Sequence, residues 1–207
     1  MDAFTTLTAV AVPLDQANID TDQIIPARFL GKLRPQQVEG YFHDYRLDPN
    51  GRPREGVTLN NPAYENAKII VANYNFACGS SRENAVTVMV DNGFRAFIAP
   101  SFGDIFYGNC FQNGLLAITL ALADVEELMR QAESAPVPTF TVDLRTSLIS
   151  APDAQQFAFE VGDYHREALL NGIDEIDLTM SRLDAVEAYE TRYYRVRPWL
   201  APIASGS

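Results

Sequence analysis

The stretch NFACGSSRENA occupies residues 75–85, between the apolar run at 68–72 and the helical pattern of 83–91. The apolar run is typical of a buried strand, because it is short, continuous and rich in β-branched residues. A glycine followed by serines at a strand-to-helix turn leaves hydroxyls and backbone N–H groups free at a helix start. The stretch therefore predicts a strand–turn–helix unit whose turn can bind an anion.

The turn carries side chains that suit a small carboxylate. Ser80 and Ser81 offer hydroxyls, and Arg82 offers a planar guanidinium that can grip a carboxylate with paired hydrogen bonds. The pattern Ser80-x-x-Glu83 is also typical of a helix capping box, which stabilises a helix without any further function. The lysine of a phosphate-binding P-loop is missing after the glycine, so nucleotide binding is disfavoured. An anion site and a plain helix cap both remain open at this point.

The chain beyond this unit repeats the alternation of strand and helix. Residues 95–99 and 115–120 are predicted strands, and the helix between them is predicted to open at Ser101. Such alternation is typical of parallel strands joined by right-handed crossovers. The predicted fold class is therefore α/β, with a central parallel-strand βαβαβ unit.

Ligands in open α/β sheets bind beyond the carboxyl ends of the parallel strands. This rule selects residues 73–82, residues 100–104 and the turn after Leu120 as candidate site loops. The first two loops each place a serine near a predicted helix start, Ser80 and Ser101. Their placement favours a ligand site over a helix cap alone.

The flanking segments complete the prediction of secondary structure. Further strands are predicted over residues 4–14, 139–144 and 156–161, and further helices over 35–46, 125–135, 166–170 and 183–194. The helix at 35–46 depends on the helical spacing of Val38, Tyr41, Phe42 and Tyr45. Residues 48–61 are rich in Pro, Gly and Asn and predict an exposed loop.

Composition limits the classes of function. The 207 residues are 47% apolar, which is enough for one sizeable core. A formal net charge of −11 argues against nucleic acid, whose phosphates bind Lys and Arg, and it repels anionic substrates at long range. No apolar run approaches the ~20 residues of a membrane span, and the N-terminal residues lack a secretory pattern. We therefore expect a cytoplasmic protein that binds neither nucleic acid nor membrane.

The residues that most often bind metals are few. The chain has Cys78, Cys110, His43 and His165, with no Cys-x-x-Cys pair and no histidine pair at helical ligand spacing. Iron–sulfur clusters usually need three or four thiolates, so no metal or cluster is expected on this chain. Both cysteines are predicted to be buried structural thiols, and both histidines to have surface or packing roles.

Four blocks of the sequence resemble the small subunits of isopropylmalate isomerases (3-isopropylmalate dehydratases), which belong to the aconitase superfamily. The blocks span residues 18–26, residues 78–83, residues 98–102 with 109–116, and residues 169–176. They keep their order and are spread over nearly the whole chain. The resemblance implies that residues 1–207 form a swivelling β/β/α domain with a C-terminal helical extension, which caps an iron–sulfur subunit.

The resemblance also implies an activity and a set of site residues. The family dehydrates a 2-substituted malate and rehydrates the alkene at the neighbouring carbon, in leucine biosynthesis. By position, Ser80 would be the general base, and Arg82 would bind a substrate carboxylate. Ser81, Thr21 and Asp22 would be further substrate-binding residues. A 4Fe–4S cluster is expected on a large partner subunit, in a heterodimer or heterotetramer.

The chain departs from the family pattern at several positions. Asn84 stands where histidine is common, Ala77 where glycine is common, and Ala117 where proline is common. Residues 31–46 also differ, in a region that helps the family recognise the substrate's variable group, and Leu33 is the candidate specificity residue. The apolar spacing in this segment could equally reflect core packing.

Other functions therefore stay open besides the isopropylmalate reaction. One is a related hydro-lyase that acts on methylmalate, dimethylmalate or homoaconitate. Another is a non-catalytic anion-binding or scaffold module that keeps only the capped helices.

Overall fold

A computed structural model describes residues 1–80 and 82–201, without the side chains of residues 175 and 178. Its strands are β1 (Thr6–Leu14), β2 (Ala67–Ala72), β3 (Ala96–Ala99), β4 (Leu116–Thr119), β5 (Thr139–Asp143), β6 (Leu148–Ser150) and β7 (Gln156–Ala158). They form a seven-stranded sheet in the order β4-β3-β2-β1-β5-β6-β7. Strands β1 to β4 are parallel, whereas β5, β6 and β7 pair in antiparallel fashion. The α/β class and the central parallel βαβαβ unit are confirmed.

The helices connect and cover these strands. They are α1 (Thr21–Ile24), α2 (Arg34–Gln37), α3 (His43–Arg46), α4 (Glu83–Asp91), α5 (Asp104–Gln112), α6 (Leu122–Ser134), α7 (Asp163–Asn171), α8 (Glu175–Met180) and α9 (Leu183–Val196). Helix α6 packs against β1, β2 and β3, and α4 packs against α5. Consecutive residues of β2 from Ile69 to Ala72 are fully buried. Burial without alternation means that both faces of the central strands are covered, as expected of parallel sheets.

The helix predicted over residues 35–46 is wrong as a continuous element. Helix α2 is followed by a 3₁₀ turn at Val38–Gly40, and α3 begins only at His43. Tyr41 has ψ of 107°, which is not helical, and Phe42 has φ of +44°, so the helix is interrupted at these two residues. Both side chains are buried, Tyr41 at 8% and Phe42 at 0% exposure. The helical spacing therefore reflected core packing at these positions.

The second crossover helix also begins later than predicted. Helix α5 starts at Asp104 rather than at Ser101. The Ser101 carbonyl accepts a hydrogen bond from Phe76 N–H at 3.0 Å, and its hydroxyl accepts one from Asn75 N–H at 2.9 Å. Ser101 is thus bound to the neighbouring loop instead of capping a helix. Strand β6 and helix α8 were not predicted.

Across the part of the chain that the structure describes, every helix is too short or too polar to cross a membrane.

Candidate functional site

The carboxyl ends of β1 and β2 bring two distant loops together. The strands are parallel, with Leu14 paired to Ala72, so both end at the same edge of the sheet. Beyond them, Cys78 N–H donates to the Ile19 carbonyl at 3.2 Å, and Thr21 N–H donates to the Cys78 carbonyl at 2.9 Å. This pairing places the start of α1 directly beside the Gly79–Ser80 turn.

The loop after β3 joins the same group. Phe76 N–H donates to the Ser101 carbonyl, and Gly103 N–H donates to the Phe76 carbonyl at 2.9 Å. A Cβ on Gly103 would lie 2.5 Å from the Ala77 carbonyl oxygen, so only glycine permits this approach. Phe76 itself is fully buried, with its ring 5.6 Å from that of Phe106. The segment of residues 75–80, called the serine loop below, is therefore anchored in the core and held by a neighbouring loop on each side.

The three loops selected from the sequence were only partly the right ones. Residues 73–82 and 100–104 meet as predicted, but no backbone hydrogen bond among the described residues joins the turn after Leu120 to them. The strand rule missed the loop after β1, which only the family resemblance had pointed to. A signal for this loop exists in the sequence: residues 11–14 are a continuous apolar run, typical of a parallel strand that is covered on both faces, and the structure buries all four.

The backbone of the serine loop is unusual. Asn75 has φ of +57°, Ala77 of +58° and Gly79 of +93°. A left-handed conformation costs a non-glycine residue roughly 1–2 kcal/mol, so Ala77 stores strain where the related family commonly has glycine. Strain of this kind concentrates at functional sites, because surrounding contacts must enforce it.

Ser80 lies outside the helix that follows it. Helix α4 begins at Glu83 and its N-cap is Arg82, which makes no side-chain capping bond. The capping-box interpretation of Ser80 is therefore wrong. The Ser80 carbonyl accepts a hydrogen bond from the buried Thr21 hydroxyl at 3.2 Å. The exposed Ser80 side chain lines an open cleft of about 220 Å³ between its loop and the start of α5. Ser81 lies outside the described residues.

Arg82 and Asp22 form an ion pair across the two loops. The Arg82 Nη1 group donates to Asp22 Oδ1, and the side chains are 22% and 55% exposed. Two residues predicted to bind substrate thus bind each other here. Among the described residues, Arg82 Nε and Nη2 have no hydrogen-bond partner. These donors are available to a second carboxylate.

Larger clefts exist away from the Ser80 loop. The cleft near Arg46, Asn60 and Tyr64, of about 410 Å³, is also lined by Ala67 and Phe94, at the amino ends of β2 and β3. A still larger cleft, of about 640 Å³, is lined by Thr119, Leu120 and Phe159 beyond the carboxyl end of β4. Volume alone therefore does not select the site. The cleft beside Ser80 is smaller, but it lies where the loops after β1, β2 and β3 meet, at the strand ends where α/β proteins place their chemistry.

The cysteines and histidines fit packing better than metal binding. Cys110 is fully buried, and burial raises the pKa of its thiol well above the usual range. Cys78 is only partly buried, so the prediction of burial is wrong for it. His165 stacks on Phe111 with ring centroids 4.1 Å apart. Within residues 1–80 and 82–201, no group of three His, Cys, Asp or Glu side chains could hold a metal ion.

Comparison with known families divides the chain into two matched parts. Residues 1–123 match the model of the aconitase C-terminal domain. Residues 175–203 match the model of the C-terminal domain of the 3-isopropylmalate dehydratase small subunit.

Individual relatives agree with these matches. A 3-isopropylmalate dehydratase small subunit of Rhodospirillum centenum is 47% identical, covering 96% of this chain and 98% of the relative. One from Nitrobacter hamburgensis is 44% identical, over 96% of this chain and all of the relative. A solved structure of 3-isopropylmalate dehydratase from Methanocaldococcus jannaschii has the same fold, with a TM-score of 0.62, 23% identity, and coverage of 89% of this chain and 99% of that one. The chain belongs to the 3-isopropylmalate dehydratase small-subunit family.

Proposed function

We propose that this chain is the small subunit of a hydro-lyase that interconverts 2-isopropylmalate and 3-isopropylmalate in leucine biosynthesis. Its near full-length relatives carry the name of that enzyme. The observation that carries the proposal is the meeting of Thr21, Ser80 and Arg82 at one edge of the sheet. A scaffold module would need neither the strained loop nor the pairing that holds these residues together.

Ser80 is proposed to accept the proton that leaves carbon. Dehydration breaks a C–H bond beside a carboxylate: the proton passes to Ser80 and the electron pair forms the alkene. The neighbouring hydroxyl leaves with its bonding electrons and becomes water by taking a proton from a separate acid. Rehydration reverses these steps at the adjacent carbon, with Ser80 returning the proton. A free serine is too weakly acidic to act as a base at neutral pH, so its oxygen needs a positive, water-excluded surrounding. The exposed position of Ser80 in this chain means that a partner must supply that exclusion.

Arg82 is proposed to bind the carboxylate beside the reacting carbon. Negative charge develops on that carboxylate as the proton leaves, and a fixed guanidinium stabilises it. Asp22 holds one edge of the guanidinium, which fixes its direction and leaves other donors for the substrate. Backbone N–H groups in the first turn of α4 add a weaker attraction for the same charge.

A large subunit is proposed to complete the site, and the 4Fe–4S cluster is proposed to lie on it. The cysteines do not fit a cluster, since the sequence has only two of them and Cys110 is sealed in the core. No step assigned to this chain depends on the cluster. Whether the assembly is a heterodimer or a heterotetramer stays a prediction, as does the cytoplasmic location.

The C-terminal helices offer a surface for that subunit. None of the residues of α9, all of which the structure describes, is buried. We define the C-terminal apolar face by its exposed residues Ile176, Met180, Leu183, Val186, Tyr189, Val196, Trp199 and Leu200. An apolar stripe at helical spacing normally packs against another surface. Because this region matches a domain found in small subunits, the large subunit is the proposed occupant.

This docking surface can be tested by a matched pair of variants. Val186→Asp places a charge within the apolar face, whereas Ala188→Asp places the same charge on the opposite side of α9. We expect only Val186→Asp to weaken co-purification with the large subunit. Equal binding by both variants would remove α9 from the interface.

The activity is tested by reconstitution under anaerobic conditions with a large subunit from the same family. The complex is assayed on 2-isopropylmalate and on methylmalate, dimethylmalate and homoaconitate, each followed by product chromatography. We expect the highest kcat/KM on 2-isopropylmalate, and no turnover by the chain alone. Preference for another substrate would keep the chemistry and change the pathway. Inactivity on all substrates, with carboxylate binding by the chain alone, would favour the non-catalytic module.

A further inference from the structure

The segment that carries Leu33 is held to the protein by a polar anchor. Residues 31–36 are all exposed, and Leu33 is 75% exposed. Gln37 is the one buried side chain between residues 30 and 39, at 6% exposure. Leu30 packs partly against the core, but residues 31–36 bury no apolar side chain, so the polar contacts of Gln37 help to define the position of this turn.

The Gln37 amide is fully used. Its Nε2 donates to the Lys32 carbonyl at 2.9 Å and to the Leu30 carbonyl at 3.3 Å, which accounts for both amide hydrogens. Its Oε1 accepts a hydrogen bond from Asn84 Nδ2 at 2.9 Å. Buried hydrogen bonds are directional and costly to leave unmade, so this amide specifies one position for the turn.

Asn84 connects this anchor to the site. It lies in the first turn of α4, two residues after Arg82. The chain of contacts therefore runs from the Arg82 end of α4, through Asn84 and Gln37, to the turn that precedes Leu33. Two further contacts join the same segments at the far end of α4: the exposed Arg34–Asp91 ion pair, and a hydrogen bond from Asn92 Nδ2 to the Val38 carbonyl at 3.3 Å.

We propose that Gln37 and Asn84 are positioning residues that hold the 30–33 turn in register with Arg82. The turn then presents Leu33 to the variable apolar group of the malate while Arg82 holds a carboxylate. This inference rests on the proposed function, and it assigns substrate selectivity to side chains that need not touch the substrate.

The test uses the reconstituted complex and the ratio of kcat/KM for 2-isopropylmalate to that for 2-methylmalate. Gln37→Met keeps the side-chain length and removes every hydrogen bond of the anchor. Asn84→Ala removes only the link to α4, at a partly exposed position in the first turn of that helix. We expect both variants to lower the ratio by about tenfold, through KM for 2-isopropylmalate, since losing a well-placed apolar contact is worth roughly that factor. Asn84→His restores an N–H donor and should recover the ratio.

Asp91→Asn is the matched control, because it weakens a different contact between the same segments, the Arg34–Asp91 ion pair. We expect it to leave the ratio within about twofold of the wild type, a change too small to reflect an apolar contact. The proposal would be overturned if Asn84→Ala left the ratio unchanged or lowered kcat/KM equally on both substrates. Asn84→Ala alone decides the matter if Gln37→Met does not fold. A wild-type complex that is inactive on every malate would instead overturn the proposed function, and the wild-type assay is run first to separate the two results.

Discussion

Arg82 donates a hydrogen bond to Asp22 across 60 residues of sequence, and the pair joins the loops that follow β1 and β2. Asp22 lies in the first turn of α1, and Arg82 is the N-cap residue of α4. The carboxylate thus orients the guanidinium and also partly neutralises it. A substrate carboxylate must therefore share Arg82 with Asp22 or displace it.

Asp22→Asn tests what this pair contributes. The amide can still accept a hydrogen bond, but it lacks the charge that holds Arg82 and competes with substrate. We expect kcat to fall while KM for the substrate stays equal or decreases. The free energy of unfolding should change by only about 0–1 kcal/mol, as for other exposed pairs. Asp91→Asn, which breaks an exposed pair away from the site, should leave kcat unchanged. A large loss of stability with normal kcat would make the Asp22–Arg82 pair structural.

Arg82→Lys tests the carboxylate grip. Lysine keeps the positive charge and loses the planar arrangement of donors, so it cannot bind Asp22 and a substrate carboxylate in the same way. We expect a lower kcat and a higher KM, because the contact strengthens as charge develops in the transition state. Steady-state kinetics of the reconstituted complex provide the measurement. Unchanged kinetics would mean that Arg82 contacts only protein.

Gly103→Ala tests whether the spacing of the loops matters. The new Cβ would meet the Ala77 carbonyl oxygen at 2.5 Å, so the two loops must separate. We expect a loss of roughly 1–3 kcal/mol in the free energy of unfolding and a clear fall in kcat. Gly108→Ala is the matched control in α5, since its Cβ would meet nothing within 4 Å. It should stabilise the protein by roughly 0.5–1 kcal/mol and leave kcat unchanged. Equal effects of both changes would argue against this account of the loops.

The two cysteines should differ in reactivity. Cys110 is fully buried with a raised thiol pKa, so little thiolate is available to react. Cys78 is partly exposed and lies within the serine loop. In native protein we expect iodoacetamide to modify Cys78 first, and Cys110 only after unfolding in guanidinium, as read by peptide mass spectrometry. Equal rates in native protein would contradict the burial of Cys110.

Strand β2 and helix α4 could be predicted because burial in the central sheet layer is the main cause of their sequence patterns. The run at 68–72 is apolar without alternation, and α4 begins and ends at the predicted residues. The segment at 35–46 failed because apolar side chains at helical spacing are also produced by a broken chain that buries Tyr41 and Phe42. Local spacing cannot distinguish these cases, since the positive φ of Phe42 depends on tertiary contacts.

The sequence predicted which residues form the site, but it did not predict the contacts between them. Ser80 and Arg82 were selected from the strand–turn–helix pattern, and Thr21 and Asp22 only from family resemblance. The Asp22–Arg82 pair and the Gln37–Asn84 contact join residues 60 and 47 positions apart. Such contacts depend on β1 lying parallel to β2 and on the path of residues 26–42, which no local pattern indicates.

The most direct test of the account is Ser80→Ala in the reconstituted complex, because the proposed chemistry depends on that hydroxyl. Ser80 caps no helix, so the midpoint of thermal unfolding should be nearly unchanged. Ser150→Ala, in β6 near the other end of the sheet, is the matched control. The account predicts that the turnover of 2-isopropylmalate falls by at least about 10²–10⁴-fold in Ser80→Ala, the range typical of removing a general base, and stays normal in Ser150→Ala. Near-normal turnover by a folded Ser80→Ala complex would contradict the central claim that this loop supplies the base.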